Sequence, residues 1–174
     1  MDTDRRYVKS ILEATKSIRS DIGTILHPSE TREPINQPVL PHSLFRNTRG
    51  YIEQIVFQIN RCYEQTCYDA CAVMIRRLIE ILIIECFEHQ GIASKIKNSS
   101  DDYLFLDDLI TAILRETLWN LGRNTKAGLR KMKRIGDQSA HSRRYNARRE
   151  YIDDVLIELR TVTEELLYIA NLRK

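Results

Sequence analysis

Arg134 and His141 are the residues of this chain whose types and spacing best suit chemistry on a phosphate. Imidazole titrates near neutral pH and moves protons to and from oxygens, while a guanidinium donates paired hydrogen bonds to a phosphate that gains charge in the transition state. On a continuous helix, residues seven apart share a face at about 10 Å separation along the axis. We expect Gly136 to interrupt the helix, which would let the two side chains converge. Such a pair suits cleavage of RNA without a metal ion.

Asp137 lies between these two residues in the sequence, and its carboxylate permits two interpretations. An ionised Asp137 that faces a scissile phosphate would repel it. Alternatively, the carboxylate would accept a hydrogen bond from His141 and hold its ring, as carboxylates do for other functional histidines. Both interpretations make Asp137 part of the candidate catalytic group, together with Arg134 and His141.

The charge of the chain is concentrated around this group. Between Gly122 and Arg149 there are ten cations and one anion, while the rest of the chain carries 17 cations and 23 anions. A segment of net charge +9 favours binding of a polyanion, because each neutralised phosphate releases counterions. The other interpretation is a solvated surface that aids solubility. The cations expected to hold an RNA backbone are Arg130, Lys133, Arg143, Arg144, Arg148 and Arg149.

The composition predicts one folded domain in a reducing compartment. The 174 residues, 43% hydrophobic and 29% charged, are typical of folded proteins and argue against global disorder. The chain opens without the apolar run of a signal peptide, and its most apolar stretch, residues 78–87, contains Glu80 and Glu85. We therefore expect a cytoplasmic protein that does not enter a membrane.

The four cysteines are predicted to be buried free thiols. Cys67 and Cys71 share a helical face, but there is no CxxC pair and no histidine at ligand spacing, so a zinc site is poorly supported. No cofactor is expected.

Apolar residues at spacings of three and four predict a succession of helices. An amphipathic helix is expected over residues 3–26, and residues 27–42, which contain all four prolines, are expected to form an extended linker. A second helix is predicted from Ser43 to the residues before Gln65, and a third from Cys67 to His89, ended by Gly91. The predicted domain organisation is thus a helix at 1–26, a linker at 27–42 and a helical domain at 43–174.

The third helix is apolar around most of its circumference and should be the centre of a bundle. A fourth helix through Leu109 and Leu114 is expected to be capped by the polar run at residues 99–102, and a last helix is predicted over residues 146–172. Since no segment alternates as a half-buried strand does, the predicted fold class is all-α, an up-and-down bundle.

Two smaller groups of residues have a structural and a functional interpretation. Glu80 lies three and four residues after Arg77 and Arg76, a spacing that favours ion pairs within the helix, although these side chains would also suit the lining of a cleft. Tyr145 is expected to pack against the protein, and the alternative is stacking on a base.

The sequence resembles the HEPN (higher eukaryotes and prokaryotes nucleotide-binding) superfamily, and within it the domain of unknown function 4145 group. The resemblance rests on Tyr68-Asp69-Ala70-Cys71 and Arg76-Arg77-Leu78-Ile79-Glu80 in one helix, followed by the stretch from Arg134 to His141 before a long final helix. It covers residues 45–172. It implies a bundle of four or five helices and places the superfamily's Arg and His on Arg134 and His141. Active members usually have a polar residue after the Arg, where this chain has Ile135.

The resemblance also implies a function and partners. It implies a homodimer that brings two motifs together and cuts RNA without a metal ion, through attack by the 2′-hydroxyl, in toxin–antitoxin or anti-phage defence systems. The alternative is a noncatalytic module for dimerisation that binds nucleic acid, a nucleotide or a protein in such a system, with an antitoxin or another defence protein as partner. Fold alone does not decide between them.

Overall fold

The computed structural model describes residues 12–17 and 38–173. The chain divides into two compact units, Met1–Ile35 and Asn36–Lys174. In the first unit, residues 12–17 form a helix, α1, with exposed side chains. The rest of the helix predicted at 3–26, and residues 27–37 of the predicted linker, lie outside the described residues.

The second unit is helical. Its helices are α2 (His42–Phe45), α3 (Gly50–Glu64), α4 (Tyr68–His89), α5 (Leu106–Arg115), α6 (Arg123–His141), α7 (Arg149–Asp153) and α8 (Leu156–Ile169), with a 3-10 turn at Ala93–Ile96. The β-structure of the described residues is limited to one isolated bridge between Lys97 and Tyr103. The all-α fold class predicted from the sequence is confirmed.

Helix α4 is the centre of this unit, as its apolar sequence predicts. It packs against α3, α5, α6, α7 and α8, and Leu78, Ile79, Leu82 and Ile83 are completely buried along it. After the helix ends, Gly91 adopts a φ of +69°, the left-handed conformation that glycine takes at little steric cost.

Paired contacts give the directions of the long helices. Along α4 and α6, Ala147 donates to Asp69 near the start of α4, Arg76 contacts Asp137, and the ring of Phe87 contacts Trp119, which precedes α6. The two helices therefore run antiparallel. Helix α8 is antiparallel to α6 in turn, since its Glu165 contacts the start of α6 and its Glu158 contacts Lys131. Helix α3 is antiparallel to α4, since Arg49 just before it contacts Glu85 and its Tyr63 contacts Tyr68. The four helices α3, α4, α6 and α8 therefore alternate in an up-and-down arrangement.

The helix predicted from Ser43 is divided, and this corrects the expectation. Arg46 and Arg49 are extended, and Asn47 has a φ of +64°, so the chain turns between α2 and α3. Asparagine tolerates the left-handed region better than most residues. The backbone amide of Asn47 donates to the carboxylate of Glu53 in the first turn of α3, which fixes the turn.

The polar run at residues 99–102 does not cap α5. Helix α5 begins at Leu106 after an extended Phe105, without a side-chain cap. The polar run instead forms a turn around Asn98, whose side-chain oxygen accepts the amides of Ser100 and Asp102. Asp107 and Asp108 lie in the first turn of α5, where their negative charges interact favourably with the positive end of the helix dipole. They stabilise the start of the helix in place of a side-chain cap.

The final helix is also divided, and Val39 and Leu40 of the predicted linker are buried. Helices α7 and α8 are separated at Asp154 and Val155, where Lys131 donates a hydrogen bond to the Asp154 carbonyl.

Leu40 is fully buried, and both its backbone N–H and its carbonyl form hydrogen bonds with the side chain of Asn60. The backbone of this apolar residue is therefore satisfied within the core.

All four cysteines are free, but they differ in burial. Cys71 and Cys86 are buried, which raises the pKa of both thiols, whereas Cys62 is half-buried and Cys67 is exposed. The expectation of buried thiols is therefore wrong for Cys67, which precedes the first residue of α4. Among the described helices, none has an apolar stretch of the length required to cross a membrane.

Candidate nucleic-acid interface

Helix α6 carries most of the basic segment, and its buried face explains why it forms. Thr125, Leu129, Met132 and Ile135 are buried at spacings of three and four. The helix is strongly amphipathic but has few apolar residues, because glycines and a threonine complete the buried face and cations occupy the other. No helix was predicted here, although the spacing of Leu129, Met132 and Ile135 is sufficient to indicate one.

Gly136 does not break α6, contrary to expectation. The helix is continuous from Arg123 to His141, and Gly136 faces α4. A Cβ atom at this position would lie 2.5 Å from the Cβ of Arg76 and 3.1 Å from the carbonyl oxygen of Ala72. The glycine therefore permits close approach of two helices. Gly128 serves the same purpose against α8, where a Cβ would lie 2.7 Å from Val162.

The start of α6 is held by Glu165 of α8. Its carboxylate accepts a hydrogen bond of 2.8 Å from the Gly122 amide and another from the hydroxyl of the buried Thr125. A carboxylate at a helix N-terminus satisfies free N–H groups and interacts favourably with the helix dipole. Glu165 thus fixes where α6 begins and which of its faces points outward.

The outward face of α6 is a row of exposed polar side chains, which we call the α6 strip. At the helical repeat these residues recur within a narrow sector, opposite the buried face. The strip consists of Arg123, Lys126, Arg130, Arg134, Gln138 and His141. None of its four cations forms an ion pair with a described residue. Seen from solvent, the strip is a line of uncompensated positive charge that ends at a histidine.

Arg134 and His141 lie on the same face but are not brought into contact. Because α6 is continuous, they are about 10 Å apart along the helix axis. Both side chains are exposed. The convergence expected from a break at Gly136 does not occur, and a phosphodiester that contacts both residues must lie along the strip between them.

Asp137 is bound by two cations and not by His141. Its Oδ1 accepts a hydrogen bond from Arg76 Nε at 2.7 Å, and its Oδ2 accepts one from Lys133 Nζ at 2.6 Å. Burial by itself raises the pKa of Asp137, but the hydrogen bonds from Lys133 and Arg76 outweigh that effect, and the pKa is lowered. The carboxylate of Asp137 is thus bound to Arg76 and Lys133, and it does not hold the ring of His141 as one interpretation proposed. The negative charge of Asp137 is compensated locally, so it does not oppose an anion on the strip.

Arg76 connects α4 to this arrangement. It also contacts Glu80 at 3.5 Å, the pair predicted at a spacing of four residues, while the shorter contact goes to Asp137. Arg77 is exposed and makes no ion pair with a described residue. The predicted ion pair of Arg76 with Glu80 is present, whereas the one predicted between Arg77 and Glu80 is not formed. The contact of Arg76 with Asp137, which was not predicted, joins α4 to α6.

A groove of about 620 Å³ runs between α5 and α6. One wall comes from α5 and the other from α6, and the lining residues are Asp107, Ile110, Thr111, Leu114, Arg115, Arg130, Lys133, Arg134, Asp137 and Gln138. Arg134 therefore lies with the groove residues, whereas His141 does not line the groove. Arg115, outside the basic segment, was missed by the sequence analysis, because only the fold brings α5 beside α6.

The loop after α6 carries three further exposed arginines, Arg143, Arg144 and Arg148. The amide of Ala147 donates to Asp69 at 3.0 Å, and the ring of Tyr145 stacks on Tyr151 at 5.9 Å. These contacts attach the loop to α4 and α7. The packing interpretation of Tyr145 is thus confirmed.

Two of the predicted phosphate-binding cations are already engaged. Lys133 contacts Asp137 and also Asp107, at 3.4 Å. Arg149 contacts Asp153 at 3.4 Å, donates to the Tyr63 hydroxyl at 3.2 Å and lies over the Tyr63 ring. The remaining four, Arg130, Arg143, Arg144 and Arg148, are exposed and make no ion pair with a described residue. They are the cations available to an incoming phosphate.

Within the described ranges, no three His, Cys, Asp or Glu side chains are grouped so that they could hold a metal ion. No family model matches the sequence, and neither a curated protein nor a solved structure matches the chain.

Proposed function

We propose that this chain binds RNA along the α6 strip and cleaves it without a metal ion, as a HEPN-like endoribonuclease of the toxin or anti-phage defence type. The proposal includes a cytoplasmic location, a homodimer and a regulatory partner such as an antitoxin, all of which rest on the resemblance to the HEPN superfamily. The all-helical bundle with its Arg and His on one helix is compatible with that resemblance.

One observation carries the proposal. The outward face of α6 presents Arg130, Arg134 and His141 in line, and the single carboxylate of this helix, Asp137, is neutralised by Arg76 and Lys133. A polyanion therefore meets cations without an opposing free carboxylate on this helix. Arg143 and Arg144 extend the positive surface past His141.

The proposed reaction is attack of the ribose 2′-oxygen on the adjacent phosphorus. The new P–O2′ bond forms as the bond to the 5′-oxygen breaks, and the products are a 2′,3′-cyclic phosphate and a 5′-hydroxyl. His141 accepts the proton of the 2′-hydroxyl, and Arg134 donates hydrogen bonds to the phosphate oxygens as charge develops on them. The leaving 5′-oxygen takes a proton from a second donor, which His141 of a second copy supplies in the proposed homodimer.

The test is incubation of purified protein with RNA in chelator, for the wild type, His141→Ala and Arg134→Ala. The controls are His89→Ala and Arg46→Ala, which remove exposed side chains of the same types away from the α6 strip. Cleavage with cyclic phosphate ends that is lost only in the first two variants supports the enzyme. Equal cleavage by all variants refutes these roles and points to a contaminant.

A second candidate function is a noncatalytic RNA-binding module. The observation in its favour is that Arg134 lines the α5/α6 groove with Arg130 and Gln138, while His141 lies outside that groove. Under this alternative the wild type cuts nothing, and RNA binding is weakened by Arg143→Glu with Arg144→Glu but unchanged in His141→Ala. Salt dependence identifies the phosphate contribution, since affinity falls with salt in proportion to the phosphates bound.

A further inference from the structure

The groove between α5 and α6 contains more positive charge than its own carboxylates neutralise. Its two aspartates, Asp107 and Asp137, both contact Lys133, at 3.4 Å and 2.6 Å. The three guanidinium groups in its lining belong to Arg115, Arg130 and Arg134, and none of them makes an ion pair with a described residue. Guanidinium groups are the protein's best partners for phosphate oxygens, because they donate two hydrogen bonds in one plane.

The α5 wall of the groove is apolar in its middle. Ile110 is buried, Leu114 is half-buried, and Thr111 is exposed with its hydroxyl donating to the carbonyl of Asp107. A ligand that enters thus meets aliphatic side chains on one side and cations at the rim. The volume of about 620 Å³ falls within the range typical of small-molecule sites.

A nucleoside monophosphate unit combines the two properties that this lining requires, a flat apolar face and a phosphate. We infer that the α5/α6 groove holds one such unit, with its phosphate on Arg115 and Arg130 and its base against Leu114. The unit is either one residue of a single-stranded RNA that lies on the α6 strip or a free nucleotide. The RNA form rests on the proposed function, since Arg134 belongs to both surfaces.

This site has a consequence for the kind of RNA that binds. In a duplex the bases are stacked and paired, so a base enters a groove between two helices only from a single strand. The α6 strip alone, which offers exposed polar and cationic side chains along a line, would accept a duplex or a single strand. The groove therefore makes the protein select single strands.

Two variants of the full chain test the site through different properties of its lining. Arg115→Glu reverses a charge that lies outside the basic segment, and Thr111→Trp fills the groove without a change of charge. Arg46→Glu is the matched charge reversal away from the groove. Thr161→Trp is the matched bulky substitution, because Thr161 also donates its hydroxyl to the carbonyl four residues earlier in its helix. A thermal melt of each variant establishes that it folds, and Arg115→Glu tests the site even where Thr111→Trp does not fold.

The ligands are a labelled single strand of 2′-O-methyl RNA, which lacks the attacking hydroxyl, its duplex, and adenosine monophosphate. Fluorescence anisotropy measures binding of the strands, and calorimetry measures binding of the nucleotide. We expect each groove variant to bind the single strand about tenfold more weakly than the wild type, the loss of one charged phosphate contact or of the base site, with the two controls within about twofold.

Each outcome decides for or against the groove. Affinities for the single strand and for adenosine monophosphate that are both equal in the groove variants and the wild type overturn the inference and leave RNA binding by the strip intact. Binding of adenosine monophosphate that both groove variants lose, with no binding of either strand, supports the groove and refutes the RNA-directed function. Equal affinity for duplex and single strand overturns the RNA form of the inference. The absence of any binding overturns the inference as a whole and refutes the proposed function as well.

Discussion

Replacement of Asp137 by asparagine is expected to weaken the fold and to strengthen RNA binding. Asparagine has nearly the same size as aspartate, but an NH2 group replaces one of the two carboxylate oxygens. That group donates hydrogen bonds and does not accept them. In the wild type Asp137 accepts from Arg76 at 2.7 Å and from Lys133 at 2.6 Å, and its side chain is 30% exposed. The variant retains an acceptor for only one of these two cations.

The size of the stability loss follows from these contacts. A hydrogen bond to a charged group contributes about 1.5–3 kcal/mol to the unfolding free energy when buried, and partial exposure reduces that value. Asp137→Asn loses one of the two hydrogen bonds, and the other is then made to a neutral amide oxygen. We therefore expect the free energy of unfolding to fall by about 1–2 kcal/mol. For a chain of this size that is a decrease in Tm of about 2–8 °C.

RNA affinity is expected to change in the opposite direction. The substitution removes the only carboxylate of α6 and leaves Lys133 with only its longer contact to the exposed Asp107, so Lys133 is more available to phosphate and single-strand affinity should rise about three- to tenfold at low salt. One additional phosphate contact should also steepen the dependence of log K on log salt by about 0.7.

The assays are thermal unfolding and fluorescence anisotropy over a series of salt concentrations. Asp101→Asn is the control, because it removes a carboxylate from an exposed pair with Lys97, and exposed pairs contribute little. A variant of Asp137 with unchanged Tm and weaker RNA binding would show that this carboxylate orients the site and does not merely join α4 to α6. If Asp137→Asn binds RNA as the wild type does but no longer cleaves it, Asp137 takes a direct part in the reaction.

Three further predictions concern packing, pH and thiol reactivity. Gly136→Ala should lower the unfolding free energy by about 1–2 kcal/mol in denaturant titrations, because its Cβ would lie 2.5 Å from a Cβ of α4, whereas Gly50→Ala, with nothing within 4 Å, should raise it by about 0.5 kcal/mol. Since the pKa of Asp137 is lowered in the folded state, its contribution to stability should be complete above about pH 4 and lost as the pH falls further, so the stability difference between wild type and Asp137→Asn should shrink in acid. Cys67, which is exposed, should react with a thiol reagent at neutral pH before Cys71, whose pKa is raised by burial.

Each of these predictions has a result that contradicts it. Equal effects of the two glycine substitutions would mean that α4 and α6 are farther apart than described. A stability difference that persists unchanged well below pH 4 would mean that the effect of the asparagine is steric. Equal reaction rates of the two thiols would mean that the core around Cys71 opens readily.

The elements that the sequence predicted well are those with a strong apolar pattern. Helix α4 was placed within a residue at each end, because apolar residues cover most of its surface and Gly91 follows it. The division at Asp154 was missed because it involves a tertiary contact from Lys131. The division at Asn47 involves a local hydrogen bond to Glu53, six residues further on, which the spacing of apolar residues does not indicate. A single-sequence pattern contains no information about such partners.

The candidate site around α6 also depends on tertiary partners that the sequence pattern does not reveal. The cations of the basic segment are visible in the sequence, but which of them are free is not. Lys133 and Arg149 are engaged by Asp107 and Tyr63, residues far away in the chain, and Arg115 joins the groove from another helix. Gly136 was expected to break a helix on the basis of its low helix propensity, whereas tertiary packing against α4 outweighs that preference.

The close packing of α6 at two glycines limits the changes of length that this helix tolerates. One inserted residue would rotate everything after it by about 100°. An insertion between Gly128 and Arg134 would therefore turn Arg134 and His141 away from the outward face and towards α8, which Gly128 and Lys131 contact. A deletion there would turn them by the same angle in the opposite direction, whereas a change of length at the exposed residues 117–118, between α5 and α6, does not alter the phase of the helix. Natural or engineered variants that retain the α6 strip should thus have a constant number of residues from Gly128 to His141 and vary in length elsewhere.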